Sequence, residues 1–285
     1  MKSYDIDDMI DEYTVIYFSC IYSCLYWGGI IAFFLSSFGL VSSLNLSGAQ
    51  IAVVELGLYF YASYKLRLNV KAFRSIPLVP YYWYMMTILT FVWETAFILD
   101  YDSICDYSSD LIVRDEHVWR NRYPISTVIP WKLSRVFYAE YGAYADREYM
   151  LLRSDWSRII EGTHAYLCGI FAIGAMVAKK CRMDNEYLIM ASVSMGTQLM
   201  NSVLYMGNYF IQVHDKFSIN YDRANFPSGY LLSRRPFMYV NIFWTLMPII
   251  AICHLVWDAG LGRGLSGRGL SRGLGRRQGK DVFLF

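Results

Sequence analysis

Apolar residues fall along this chain in long blocks separated by short polar or basic connections, not in the short alternating runs of a β protein. A helix that crosses a bilayer needs roughly 20 mainly apolar residues. Six blocks are candidates, at residues 15–41, 47–64, 81–99, 160–178, 186–212 and 237–257. The second is the shortest, and Glu55 interrupts it. The pattern predicts an all-α, polytopic membrane helix bundle of about six transmembrane helices. No internal repeat is visible, so the spans are read as one bundle. Residues 100–158 form a long connection of mixed charge, with Pro124, Pro130 and a helical stretch over 131–151. Its aromatic content predicts a packed cap over the bundle. Residues 259–285 are a Gly/Arg/Leu/Ser stretch that cannot bury enough apolar surface to fold. A disordered cytosolic tail touching anionic lipid is expected there.

Composition points the same way. The 285 residues are 55% hydrophobic and 18% aromatic, and the mean hydropathy is +0.27, too apolar for an ordinary soluble domain. A net charge of +2 makes no case for nucleic acid. Lys65, Arg67, Lys71 and Arg74 follow the second block, and Lys179, Lys180 and Arg182 follow the fourth. The tail is basic too, whereas the connection between the first two blocks carries no Lys or Arg. An even number of spans puts all three basic regions on one side, read as cytosolic, with the cap lumenal. The acidic start lacks the basic n-region of a cleaved signal, so the first block is expected to stay in the membrane. The six cysteines show no zinc or redox spacing.

The chemistry starts from two carboxylates inside apolar blocks. Glu94 is the only charge between Tyr81 and Leu99, and Glu161 opens the next block. An ionisable group at bilayer depth costs at least a few kcal/mol, so it normally faces a bundle interior and marks a functional site. Polar positions recur around both acids at helical spacing. Glu161, His164 and Cys168 share one face; Gln198, Asn201, Ser202 and Tyr205 form a stripe; Asn241, Trp244 and Pro248 line a third helix; Thr90 and Glu94 lie four apart beside Trp93. Stacked together, these faces would close a pocket of acids, amides and π-faces in an apolar wall. Such a mixture suits carbocation chemistry. A carboxylic acid kept neutral by burial protonates an olefin or epoxide, aromatic faces hold the cation, and excluded water protects it. Each feature also has a structural reading: interhelical hydrogen bonds for Gln198, Asn201 and Ser202, packing for Trp93 and Trp244, arginine pairing for the two acids, and a satisfied bundle histidine for His164. His117 reads as a loop residue. No metal-ligand spacing, nucleophile elbow, phosphate loop or dinucleotide fingerprint occurs, so neither metal nor organic cofactor is expected.

Several blocks, in order, resemble the EXPERA superfamily, whose members include a sterol Δ8–Δ7 isomerase and a sterol-binding receptor. They are Glu94 in WETAFIL, Asp146 to Tyr149 in DREY, Glu161 with Ala165, Leu167 and Gly169, SMGTQLMNSVLY with Gln198 and Tyr205, and NIFWTLMP with Asn241, Trp244 and Pro248. The resemblance covers roughly residues 81–258. It implies an EXPERA-like five-helix core, preceded by an N-terminal span, around a sterol-sized cavity in the endoplasmic reticulum membrane. The segment 1–80 would hold two spans, 81–258 the catalytic domain and 259–285 the tail. By resemblance, Glu94 and Glu161 are proton donor and acceptor in either order, Asp146 is a cap-side acid, and Asn241 and Trp244 line the cation. The departures are a threonine, Thr90, where the isomerase has a histidine, the gain of His164 near Glu161, and Ser202 in place of an acid. One histidine lost and another gained fits a relative acting on a different terpenoid. The expected catalytic residues are Glu94, Glu161, His164 and Asp146, with Trp93, Gln198, Tyr205, Asn241 and Trp244 around the substrate. The expected activity is isomerisation or cyclisation of a terpenoid or sterol by acid–base catalysis, with sterol isomerisation or non-catalytic sterol binding as the alternatives. The expected partners are that substrate and membrane lipid, with no nucleic acid and a homodimer allowed.

Overall fold

A computed structural model describes residues 45–151, 155–221 and 226–273. The architecture is helical. The long helices are α1 (Gly48–Asn69), α3 (Leu78–Leu99), α7 (Asp155–Lys180), α8 (Asp184–Gln212) and α9 (Met238–Gly273). Shorter ones are α2 (Lys71–Arg74), α4 (Tyr101–Arg114), α5 (Pro130–Tyr144) and α6 (Arg147–Leu151). One small antiparallel pair, β1 (Asn45–Ser47) with β2 (Arg122–Pro124), ties the start of α1 to the cap. Ser47 caps α1: its hydroxyl accepts from the Gln50 backbone N–H at 3.3 Å, and the Gln50 side-chain Oε1 accepts from the Ser47 N–H at 2.9 Å. This reciprocal bonding satisfies two of the helix's orphan donors.

Four long helices close a ring, with α3 against α7, α7 against α8, α8 against α9 and α9 back against α3. Helix α5 packs on α3 and α4. Apolar side chains divide into two cores. One, at the cap end, holds Phe97, Ile104, Leu133, Ala139, Tyr209 and Met238. The other holds Tyr81, Tyr84, Ala172, Ala175, Ala191 and Leu255. On α3, α8 and α9 the inward polar positions Glu94, Gln198, Ser202 and Asn241 fall between residues of these two cores. The two basic connections meet at the end away from the cap, where Lys71, Lys180 and Arg182 line one shallow depression. That placing is the one the charge pattern requires of these two connections.

The six expected spans are shown in part. Among the described residues, three helices are long and apolar enough to cross a membrane: Leu78–Leu99, Ser157–Lys180 and Met238–Trp257. The block at 15–41 lies outside the described residues. Helices α1 and α8 form where expected and are long enough, but they are too polar to qualify by composition. Their polarity points inward: Glu55 and Ser63 on α1, and Ser194, Gln198 and Ser202 on α8, are buried. The cap connection is packed helix, as its aromatic content predicts, but the stretch 131–151 is two helices. The break falls at Asp146, whose Oδ1 accepts from the Tyr149 N–H at 3.0 Å and so starts α6. At the other end, α9 runs through Gly273, well into the stretch expected to be disordered; residues 274–285 lie outside the described ones.

Close helix contact is made by a glycine. A Cβ on Gly169 of α7 would sit 2.5 Å from Phe91 Cβ and 2.6 Å from its Cγ, on α3. Those atoms are at the root of the ring and cannot swing away. Gly169→Ala is therefore expected to destabilise the protein by about 1–3 kcal/mol through overpacking, read as a lower melting temperature in detergent. An unchanged melting temperature would mean that α3 and α7 are not in contact there.

Candidate functional site

A cavity of about 310 Å³ occupies the space between the two cores. That is the lower end of the roughly 300–1,000 Å³ of small-molecule sites. Its wall includes Glu94 and Trp93 from α3, Glu161 and His164 from α7, Gln198, Ser202 and Tyr205 from α8, and Asn241 and Trp244 from α9. Four separate apolar blocks thus contribute their polar faces to one volume. Eight of the nine site residues expected from sequence line it; Asp146 does not.

The two carboxylates meet at one point, with His164 between them. His164 Nδ1 lies 3.4 Å from Glu94 Oε2 and 3.9 Å from Glu161 Oε2. On its other side, His164 Nε2 is 3.0 Å from Gln198 Oε1. An amide oxygen only accepts, so Nε2 carries hydrogen and Nδ1 faces the acids. The Tyr149 hydroxyl donates to Glu161 Oε1 at 2.7 Å, which turns the other Glu161 oxygen toward the ring. Glu94 Oε2 and His164 Nδ1 are buried without a hydrogen-bond partner. A bare nitrogen lone pair against two carboxylate oxygens is repulsive, so the three groups are built to share a positive charge. A proton fits there. One donor atom from each of the three residues also lies within 4.8 Å of the others, a set that suits a cation. Linear spacing could not reveal this cluster, because Glu94 comes from a different helix.

Aromatic rings form much of the remaining wall. Trp93 stacks on Phe137 with centroids 5.0 Å apart, and its indole N–H donates to Glu55 Oε1 at 3.0 Å. The charge that weakens the second apolar block is thus turned into the bundle to hold this indole. Trp244 packs on Trp83 at 4.8 Å. Pro248 has no N–H, which frees the carbonyl of Trp244 one turn earlier. The Ser202 hydroxyl donates to that carbonyl at 3.3 Å and joins α8 to α9. The Asn-x-x-Trp-x-x-x-Pro spacing therefore has a physical role, since the proline exposes the acceptor that fixes Trp244. Thr90 lines the cavity, but its hydroxyl is spent on the Met86 carbonyl of its own helix at 2.9 Å. It does not replace a histidine there.

Asp146 alone of the expected catalytic residues does not line the cavity. It is fully buried behind the wall and not open to the cavity. Its Oδ2 accepts from the Tyr205 hydroxyl at 2.8 Å, and its Oδ1 accepts from the Asn220 amide at 2.7 Å as well as from the Tyr149 N–H. The reason is its capping of α6, which turns the carboxylate away from the cavity and toward those donors. Burial pushes its pKa above the ordinary carboxylate range, and the three hydrogen bonds and the Arg235 charge pull it back only in part. Sequence reading missed the contribution of α5, whose Phe137, Tyr138 and Tyr141 all line the cavity. The signal was present: the three aromatics sit at helical spacing in FYAEY.

Comparison with known proteins adds no relative: no family model, no curated protein and no solved structure matches this chain.

Proposed function

We propose that this chain is a membrane-embedded isomerase or cyclase that protonates an olefin or epoxide of a terpenoid or sterol. The carrying observation is the meeting of Glu94, His164 and Glu161 in one aromatic-walled cavity. Glu161 is the proton donor in this reading. Its side chain is 14% exposed against 8% for Glu94, and its outer oxygen is already held by Tyr149. Glu94 and Gln198 then orient His164. The donated proton forms a C–H bond with the π electrons of the olefin, or opens the epoxide, as the acid O–H breaks. Trp93, Trp244 and the tyrosine faces surround the cation, and the dry walls keep water from capturing it. The EXPERA resemblance supports this reading. With it come the finer expectations: six spans, residence in the endoplasmic reticulum membrane, and a place in terpenoid metabolism. A sterol Δ8–Δ7 isomerase would use the same parts, and a sterol-binding receptor would keep the cavity without turnover.

Product analysis by mass spectrometry tests the reading. Microsomes carrying the protein are incubated in deuterated water with a Δ8-sterol and with prenylated olefins and epoxides. A deuterated Δ7-sterol or a cyclised terpenoid is expected, and turnover should survive a chelator. Loss of turnover on chelation, restored by a divalent ion, would instead assign the cluster's charge to a metal. Tight sterol binding with no product from any substrate would leave the receptor.

A further inference from the structure

Glu94 and Glu161 lie together, so a proton lost from a distant carbon of the same substrate needs another acceptor. We infer that this acceptor is a three-group relay in which Tyr141 takes the proton from the substrate and Asp146, through Tyr205, stores it. The inference rests on the acid–base reading above and assigns its second half.

Counting hydrogens sets the direction of the relay. Asp146 is an acceptor, so the single hydrogen of the Tyr205 hydroxyl goes to its Oδ2. The Tyr205 oxygen then accepts from the Tyr141 hydroxyl, with which it is in close contact. The Tyr141 oxygen accepts from the Asn241 amide at 3.1 Å, which leaves one acceptor position. Met238 Sδ lies 3.7 and 3.6 Å from the two hydroxyls and is too weak an acceptor to reorder them. Tyr141, Tyr205 and Asn241 all line the cavity, and Asp146 is sealed behind them. The chain of bonds therefore begins at the cavity and ends at a carboxylate that substrate cannot touch.

A lone phenol is a poor base, because its protonated form is very acidic. In the relay no phenol is ever left protonated. As the substrate C–H breaks and its electron pair closes the new C=C, the proton forms a bond to the Tyr141 oxygen. The Tyr141 hydrogen moves to Tyr205, and the Tyr205 hydrogen moves to Asp146. The cation is neutralised, Asp146 becomes a carboxylic acid, and both tyrosines end neutral. Tyr141 is the catalytic residue here; Tyr205 and Asp146 act through it. A structural role for Asp146, holding Asn220 and the start of α6, needs neither tyrosine proton.

The test uses full-length protein in microsomes, with the Δ8-sterol and prenylated epoxide probes carrying deuterium at the position to be lost. Donor and acceptor are separate groups, so wild-type product should keep none of that deuterium. Tyr205→Phe preserves shape and breaks the relay. It is expected to lower kcat at least about a hundredfold with little change in KM, and to divert the cation to water-captured alcohols or other olefin isomers. Tyr141→Phe should match it. Asp146→Asn should do the same provided its melting temperature stays near wild type, and Tyr205→Phe decides the matter if it does not. Wild-type kcat and product ratio in Tyr205→Phe would overturn the relay while leaving the acid–base reading standing. So would product that retains the substrate deuterium, since one group would then both give and take the proton. No turnover by the wild type on any probe would sink the acid–base reading and this inference together.

Discussion

Glu161→Gln is expected to reduce kcat by at least about a thousandfold, the upper part of what one general acid supplies, while the protein still folds and binds substrate. The amide keeps an oxygen for the Tyr149 hydroxyl, which donates to Glu161 at 2.7 Å in the wild type. The volume of the side chain is unchanged, so the cavity wall stays closed. Only the acidic proton is lost. Glu94 is not expected to stand in for it, because its Oε2 lies closer to His164, at 3.4 Å against 3.9 Å for Glu161, and its side chain is more deeply enclosed. Activity on the productive probe, melting temperature and binding of that probe are measured on the same preparation. Turnover within tenfold of wild type would remove Glu161 from the donor role. Equal loss of folding in Glu161→Gln and Glu94→Gln would make the two acids structural.

The largest effect on stability is expected at Arg235. This side chain is fully buried at the cap end. It donates to the Gly229 carbonyl at 2.6 Å, to the Tyr209 hydroxyl at 2.9 Å, to the Ala145 carbonyl at 3.3 Å, and to the Asn220 carbonyl. Its guanidinium stacks 4.1 Å from the Phe226 ring centroid. One planar group thus joins the segment before α9, the α5–α6 junction and the end of α8, and its charge favours ionised Asp146. Arg235→Met keeps much of the packing volume but strands several buried acceptors and removes the cation near a buried carboxylate. The expected loss is about 3–5 kcal/mol, the range for breaking a buried ionic arrangement by deleting one partner. Arg235→Lys should recover only part of it, since an ammonium cannot make the same flat set of bonds or stack on Phe226. Chemical denaturation in detergent measures both variants. A loss below 1 kcal/mol in Arg235→Met would mean that these acceptors find water instead.

Nothing in the linear pattern singles out Arg235. It is one arginine of a Ser-Arg-Arg-Pro run, and its importance comes from residues far along the chain. Asp146 was visible as a motif residue, yet its place was not. The same DREY block serves either a cavity acid or a helix cap, and only the direction of α6 decides between them. Glu55 was legible as a defect in an apolar block, and becomes intelligible once Trp93 is seen to donate to it. The cavity residues on α3, α7, α8 and α9 were legible because polar groups at three- and four-residue spacing in apolar helices must share an inward face.

By itself the sequence determined that long helices form, which face of each is polar, and that two acids turn inward. Helical periodicity and the cost of an exposed charge in an apolar medium are local, so they can be read along the chain. The tertiary structure decided which faces meet. It brought Glu94 to His164 and Glu161, turned Asp146 behind Tyr205, and placed the aromatics of α5 in the cavity wall. Those outcomes depend on how helices distant in sequence pack against one another, and periodicity within a single helix carries no information about its neighbour.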